Sequence, residues 1–331
     1  MRYLKLVSIL ALAFFLTLGL SFAPTTAFAQ KKFVVYFIPH AGMADPFWAT
    51  QIKMAKRVAA LLPDLELRVT APETYSIKKQ LDYLMAAIAA KPDAIIITIS
   101  DAKAMDKPLR KAIKEGILVI AINIEDYRPP DKRIPYITYI GMDERISGSV
   151  LAEETYNRFH EMFGRYPKRA VIGIHQPGLI CLEMRSDGIM RVSKKLNIPV
   201  EKLDITMDPT KAMEILRAYL AKHPDTEVIF TLGPCGSHPA IKLIKELGAK
   251  GKIIHACIDL SPKILEAIKE GITLVAVSQQ PAFQAAQSVY TAYLYLKYGI
   301  IPPKIIPTGP TVVTKENLSV ILRQVKTTGG A

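Results

Sequence analysis

Short apolar runs alternate along this chain with longer stretches whose apolar positions recur every three or four residues, the pattern of strands separated by amphipathic helices. The first run, residues 33–38, is rich in β-branched and aromatic residues and too short to span a membrane, so it reads as a strand buried on both faces. A polar loop with a glycine follows Pro39, and Asp45-Pro46 then supplies an N-cap and a proline at the first helical position. In the helix that starts there, Met54, Val58, Leu61 and Leu62 form one stripe opposite Lys53, Lys56 and Arg57. Residues 65–70 alternate as a second strand. Leu81, Leu84, Met85 and Ile88 mark a second helix, and residues 94–99 a third strand. A short helix opening around Asp106, Lys107 and Pro108 and running to Lys114 leads to a fourth strand, 118–122, which ends at Asn123. Residues 136–141 make a fifth.

After a long helical segment, 145–163, the same alternation restarts. Strands are expected at 170–174, 228–232, 253–258 and 273–277, with helices at 182–195, 209–222, 238–247 and 262–270. Strand and helix in turn, with short connections, give parallel sheets covered on both faces. The fold class is therefore α/β, with two doubly wound, Rossmann-like halves that share an order of elements and no visible sequence repeat. A further helix, 281–297, and a proline-rich tail, 300–310, come after the second half is complete and must be accommodated elsewhere, with the first half as one candidate.

Arg2 and Lys5 precede a long apolar run, and the segment closes on Ala27-Phe28-Ala29, a small-x-small cleavage pattern. Residues 1–29 thus read as a signal peptide, with an uncleaved anchor as the alternative, and the mature protein as exported to the periplasm. Losing Arg2 and Lys5 lowers the formal charge from +13 to +11. The lysines are spread over nearly every expected helix rather than gathered in a basic stripe with interleaved aromatics, so no nucleic-acid partner is implied. Cys181, Cys235 and Cys257 are too widely spaced for a metal pattern, and read as small buried residues.

Catalytic spacing is hard to find. The chain has no glycine-rich dinucleotide or Walker pattern, no G-x-S-x-G elbow and no H-E-x-x-H, so neither cofactor nor metal is called for and an enzyme is not expected. His40, His175, His223, His238 and His255 read as capping or surface residues. What remains is a set of polar groups at strand ends or helix starts: Asp45, Ser100, Asp101, Asn123, Asp143, Arg185, Asp259 and Gln279, together with the rings of Phe47 and Trp48. Ligands of parallel sheets sit at the carboxyl ends of the strands. Carboxylates, amides and an arginine around aromatic rings suit a neutral polyhydroxylated molecule, because hydroxyls donate and accept while the apolar face of a sugar rests on a ring.

The motifs ADPFW (44–48), KPDAIIITISD (91–101), EGILVIAIN (115–123), YIGMD (139–143), RSDG (185–188), CIDLSP (257–262) and VAVSQQP (275–281) make the mature chain resemble the type I periplasmic binding proteins of the ribose-binding group. The resemblance implies two lobes joined by three crossings, near 141–143, 279–281 and 307–310. The lobes would comprise residues 30–141 plus 281–308, and 142–280 plus 309–331, with a ligand cleft between them. It also implies a monomeric receptor that closes on a simple sugar or polyol and delivers it to the transmembrane subunits of an ABC permease. A sensing role for a chemoreceptor or sensor kinase, or a nucleoside-like ligand, are the alternatives. Asp45, Phe47, Arg185, Asp259 and Gln279 match contact positions of the family, and Trp48 is expected at the rim of the cleft. Asn123 stands where an acidic residue is usual. Leu232, Gly233 and Pro234 replace an Asn-Asp pair, which removes a side-chain donor from that wall.

Overall fold

Hydrogen bonding sorts the strands into two six-stranded sheets. The computed structural model describes residues 32–328, so the expected signal peptide lies outside the described residues. The first sheet begins with β1 (Phe33–Ile38), α1 (Pro46–Ala60), β2 (Leu65–Val69), α2 (Ile77–Ala89), β3 (Ala94–Ile97), α3 (Ala102–Lys114), β4 (Leu118–Ile122) and β5 (Thr138–Gly141). The second contains β6 (Arg169–Ile174), β7 (Val200–Asp204), β8 (Thr226–Thr231), β9 (Ile254–Ile258) and β10 (Thr273–Ser278). Its helices are α4 (Glu144–Phe163), α5 (Ile180–Lys195), α6 (Pro209–Lys222), α7 (Pro234–Glu246) and α8 (Pro262–Glu270). The chain returns to the first sheet with α9 (Pro281–Tyr298) and β11 (Ile305–Pro307), then crosses back to β12 (Thr311–Val313) and α10 (Leu318–Thr328). Strand orders are β11-β5-β4-β3-β1-β2 and β12-β10-β9-β8-β6-β7. Every pair is parallel except β10 with β12. These are two α/β lobes, as the alternation of the sequence requires.

Each sheet is covered on both faces, which is why β3 (AIII) and β4 (LVIAI) are continuously apolar and buried throughout. In the first lobe, Ile52, Ala55, Val289 and Ala292 of α1 and α9 cover one face. Leu84 and Ile88 of α2 with Met105 and Leu109 of α3 cover the other. In the second, α4 and α5 pack on one face through Leu151, Tyr156, Leu182 and Ile189. Helices α6, α7, α8 and α10 pack on the opposite one. Helices α4 and α5 touch backbone to backbone: a Cβ on Gly148 would stand 2.0 Å from the Arg185 carbonyl oxygen, and one on Gly188 2.1 Å from that of Arg145. Any side chain at either position would force the helices apart.

Several boundaries differ from expectation, each for a local reason. Helix α3 starts at Ala102, ahead of the expected opening at Asp106, because Asp101 caps it by accepting from the Lys103 and Ala104 amides. Pro108 lies inside that helix, at the cost of the hydrogen bond its missing N–H would have made. Met54, Val58 and Leu62 of the expected stripe pack half-buried against the core, but Leu61 and Leu62 lie beyond α1 and Leu61 is 79 % exposed; the fully buried face is formed by Trp48, Ile52, Ala55 and Ala59. The alanines on this face let α9 approach closely.

His255 is neither a cap nor a surface residue. It lies within β9, wholly buried, with each ring nitrogen 2.8 Å from a threonine hydroxyl, Thr231 on one side and Thr273 on the other. Burial pushes its pKa down to about 3. The folded value lies below the unfolded one of about 6.5, so the stabilisation is complete above that pH and is lost as the pH falls towards 3. Relative to His255→Gln, the wild-type protein is expected to lose about 1.4 kcal/mol per pH unit between about pH 6 and 4. Parallel pH profiles of the two proteins in urea denaturation would refute a neutral buried imidazole.

Candidate functional site

The carboxyl ends of the strands carry a line of paired polar side chains. Arg185, on α5, meets Glu144 of α4 in a two-point contact, Nε to Oε2 at 2.6 Å and Nη2 to Oε1 at 3.1 Å, with both side chains almost wholly buried. The glycine crossing of α4 and α5 is what brings the two together. Arg185 Nη1 donates to the Leu232 carbonyl at 2.8 Å and lies 3.5 Å from Asp259 Oδ2. Asp259, just past β9, accepts from Gln279 Nε2 at 2.6 Å on its other oxygen. Gln279 Oε1 accepts in turn from Asn123 Nδ2 at 3.0 Å. Asn123 and Asp259 both leave their strands with positive φ, 63° and 69°, a conformation that Asn and Asp tolerate better than other side chains.

From Asn123 the line continues into the first lobe. Its amide also lies 3.3 Å from Gln284 Oε1 of α9, which accepts from Gln51 of α1 at 3.1 Å. Gln284 Nε2 donates to the Thr308 hydroxyl and to the Gln279 carbonyl. The Thr308 amide is bonded to the Gly141 carbonyl. The three connections between the lobes, at 142–143, 279–280 and 308–310, are therefore tied to one another and to the strand-end residues.

Burial pushes the carboxyls of Glu144 and Asp259 above their ordinary values, with Arg185 opposing the shift. Burial also works against the Arg185 charge, but Glu144 and Asp259 outweigh it and hold the guanidinium above its usual value. The cluster is an arginine shared between two carboxylates.

The other expected residues fall in different places. Ser100 and Asp101 line a cavity of about 760 Å³ between the lobes, with Tyr75, Tyr127 and Arg128 on one side and Gln176 on the other. The Ser100 hydroxyl donates to Gln80, and Asp101 caps α3. Asp45 caps α1 by accepting from the Phe47 amide. Its side chain meets solvent, yet partial burial among its neighbours raises its carboxyl pKa, and the charge of Asp259 in the other lobe adds to the shift. Asp143 is exposed, caps α4 through the Arg145 and Ile146 amides, and does not join the network.

Trp48 is not at a rim. It is 3 % exposed, 5.0 Å from the half-buried Phe47 ring and 4.7 Å from His40, both edge to face. Adjacent positions on a helix point about 100° apart, and here the larger ring is buried while the smaller stays half-buried. His40 is bonded to Thr98 and packs on Tyr75, so it is a neutral part of an aromatic wall; burial lowers its pKa to about 4. Cys235 is exposed rather than buried, while Cys181 and Cys257 are buried; all three are free thiols.

The sequence reading missed Glu144, Gln284 and Gln51. Glu144 follows the cap Asp143, where an acid is unremarkable at a helix start, and its partner lies 41 residues away. A glutamine within the otherwise apolar start of α9 was the one available hint of Gln284.

Two α/β lobes with polar strand ends meeting across the chain crossings define a two-lobed binding protein. The chain belongs to the periplasmic binding protein domain family, whose model matches residues 35–300. It is 27 % identical over 299 residues to the xylose/arabinose-binding protein XylF of Sulfolobus acidocaldarius, covering 86 % of this chain and 71 % of that protein. Among solved structures, a periplasmic sugar-binding protein of an ABC sugar transporter from Legionella pneumophila is 28 % identical, with a TM-score of 0.74, over 84 % of this chain and all of that one. An ABC transporter solute-binding protein from Agrobacterium vitis, bound to α-D-tagatopyranose, is 26 % identical with a TM-score of 0.74, over 88 % and 98 % of the two chains.

Proposed function

We propose that this protein is an exported receptor of an ABC importer that binds a simple sugar or related polyol between its lobes and presents it to the membrane permease. The observation that carries the reading is the line of side chains from Gln51 to Glu144, which joins both lobes through their connections. A ligand touching this line from both sides favours one arrangement of the lobes over others, and only such differential contact drives closure. The sugar-binding relatives and the rings of Phe47 and Tyr75, which remain partly exposed beside the buried Trp48 and its neighbour His40, support a sugar as the ligand. Binding, without chemical change, is all that this role requires. The expected signal peptide and the family together support a periplasmic location.

A calorimetric and thermal-shift screen over pentoses, hexoses, polyols and nucleosides tests the reading. A dissociation constant near about 1 μM corresponds to about −8 kcal/mol. Ligand at a thousandfold excess over that value should stabilise the fold by about 4 kcal/mol. The ligand should be recovered intact by mass spectrometry. No stabilisation by any member of the screen would reject the proposal. Phe47→Ala is expected to cost about 1 kcal/mol or more of binding and less of folding, and ligand should shift the emission of Trp48, the one tryptophan in the chain. Unchanged affinity in that variant would remove the start of α1 from the site.

A further inference from the structure

Beside the paired network lie two buried polar atoms, the Tyr127 hydroxyl and His175 Nδ1, that have no hydrogen-bond partner among the described residues. They come from opposite lobes. Tyr127 follows β4, and His175 is the first residue after β6. The charge of Arg185 acts on both. Tyr127 also lines the cavity between the lobes, as does Gln176, the neighbour of His175. A buried polar group left unpaired costs about 1–3 kcal/mol, so two such groups around one arginine are a place where the fold is completed from outside.

His175 also accounts for the odd loop at Gly233-Pro234. A Cβ on Gly233 would stand 3.2 Å from Cε1 and 3.7 Å from Nε2 of His175. The imidazole thus stands where a side chain at position 233 would go. The wall that lacks a donor in the β8–α7 loop has one from the end of β6.

We propose, building on the sugar or polyol reading of the site, that Tyr127 and His175 are ligand contacts that hold one hydroxyl-bearing edge of the ligand from the two lobes, beside Arg185. Both groups are neutral: burial lowers the pKa of His175 to about 4 and raises that of Tyr127 above its usual range. A phenol donates and accepts, and an imidazole nitrogen does either according to its tautomer, which matches the two-way bonding of a hydroxyl. An anionic edge fits less well, because the Arg185 charge is already met by Glu144 and Asp259.

Calorimetry of wild type, Tyr127→Phe and His175→Ala against xylose, arabinose, tagatose and myo-inositol, with urea denaturation of each protein, tests the assignment. Each variant is expected to bind roughly 10-fold or more weakly. Tyr127→Phe should be close to wild type in stability, since among the described residues its hydroxyl makes no well-formed hydrogen bond and its polar neighbour, the Tyr139 hydroxyl, already donates to the Asn123 and Met142 carbonyls. Unchanged affinity in either variant, with wild type binding, overturns the two-lobe clamp and leaves the sugar reading standing. A loss of stability in Tyr127→Phe that matches its loss of binding also overturns it, because the hydroxyl then serves the fold. Wild type that binds none of the three sugars or the polyol overturns the clamp together with the reading on which it rests.

Discussion

Glu144→Ala is expected to lower the unfolding free energy by about 3–5 kcal/mol, read as a fall in the urea midpoint without a change in slope. The Arg185 side chain is 6 % exposed, and Glu144 supplies the acceptors at both Nε and Nη2. Truncating the acid leaves a buried guanidinium with the Leu232 carbonyl and the more distant Asp259 oxygen as its acceptors. Glu144→Gln keeps one acceptor of similar shape but turns an amide group towards the guanidinium, so it should cost less, about 1.5–3 kcal/mol. The pair Glu144→Leu with Arg185→Met should recover much of the loss, because an apolar pair of similar volume carries no desolvation penalty. Wild-type stability in Glu144→Ala would mean that water reaches Arg185 and the pair is not buried in solution.

How much of this was legible in the sequence depended on how local the cause was. Strands β3 and β4 stand out because burial on both faces demands an unbroken apolar run. Strand β7, VEKLD, is an edge strand with mostly exposed side chains, and β11 and β12 are three residues each, so none of them carries a usable pattern. Helices α6, α8 and α9 start where a proline at the first helical position says they do. The same residue type misled at Pro108, because the true cap, Asp101, was assigned to the ligand and not to the helix.

The site divides in a similar way. Asn123, Asp259 and Gln279 were singled out because polar residues at strand ends are few and their position in the fold is fixed by topology, and Arg185 because it lies on the helix that follows a strand. What each of them touches was not legible. Arg185 was read as a donor waiting for ligand hydroxyls, and most of its donors are committed to Glu144, Leu232 and Asp259. That pairing follows from the approach of α4 to α5 at Gly148 and Gly188, and two glycines about 40 residues apart give no periodic signal. His255, too, sat inside an apolar run where its two threonine partners, on β8 and β10, become visible only once the sheet order is known.

Asp259→Asn is expected to weaken ligand binding by about 10- to 100-fold while leaving stability nearly unchanged. Within the network Asp259 is the charged acceptor with capacity to spare: Oδ1 takes the Gln279 amide at 2.6 Å, Oδ2 has only the 3.5 Å contact with Arg185, and its side chain remains 13 % exposed. A hydroxyl donating to a carboxylate contributes about 1.5–3 kcal/mol, which corresponds to the expected loss. Asparagine suits the test better than alanine, since it tolerates the backbone at φ 69° and keeps the side-chain volume. Arg185 stays neutralised by Glu144 in the variant, so folding should be spared. Burial holds the Asp259 carboxyl above the usual carboxylate range, so in wild type the acceptor is lost on acidification at a higher pH than for an exposed aspartate. The affinity ratio of wild type to Asp259→Asn should therefore shrink as the pH falls towards that raised value. A neutral sugar should also bind wild type with the same affinity at low and high salt, because no charge on the ligand is there to be screened. An Asp259→Asn protein that binds as tightly as wild type would place the ligand away from the end of β9, and a strong salt dependence would replace the neutral sugar with a charged one.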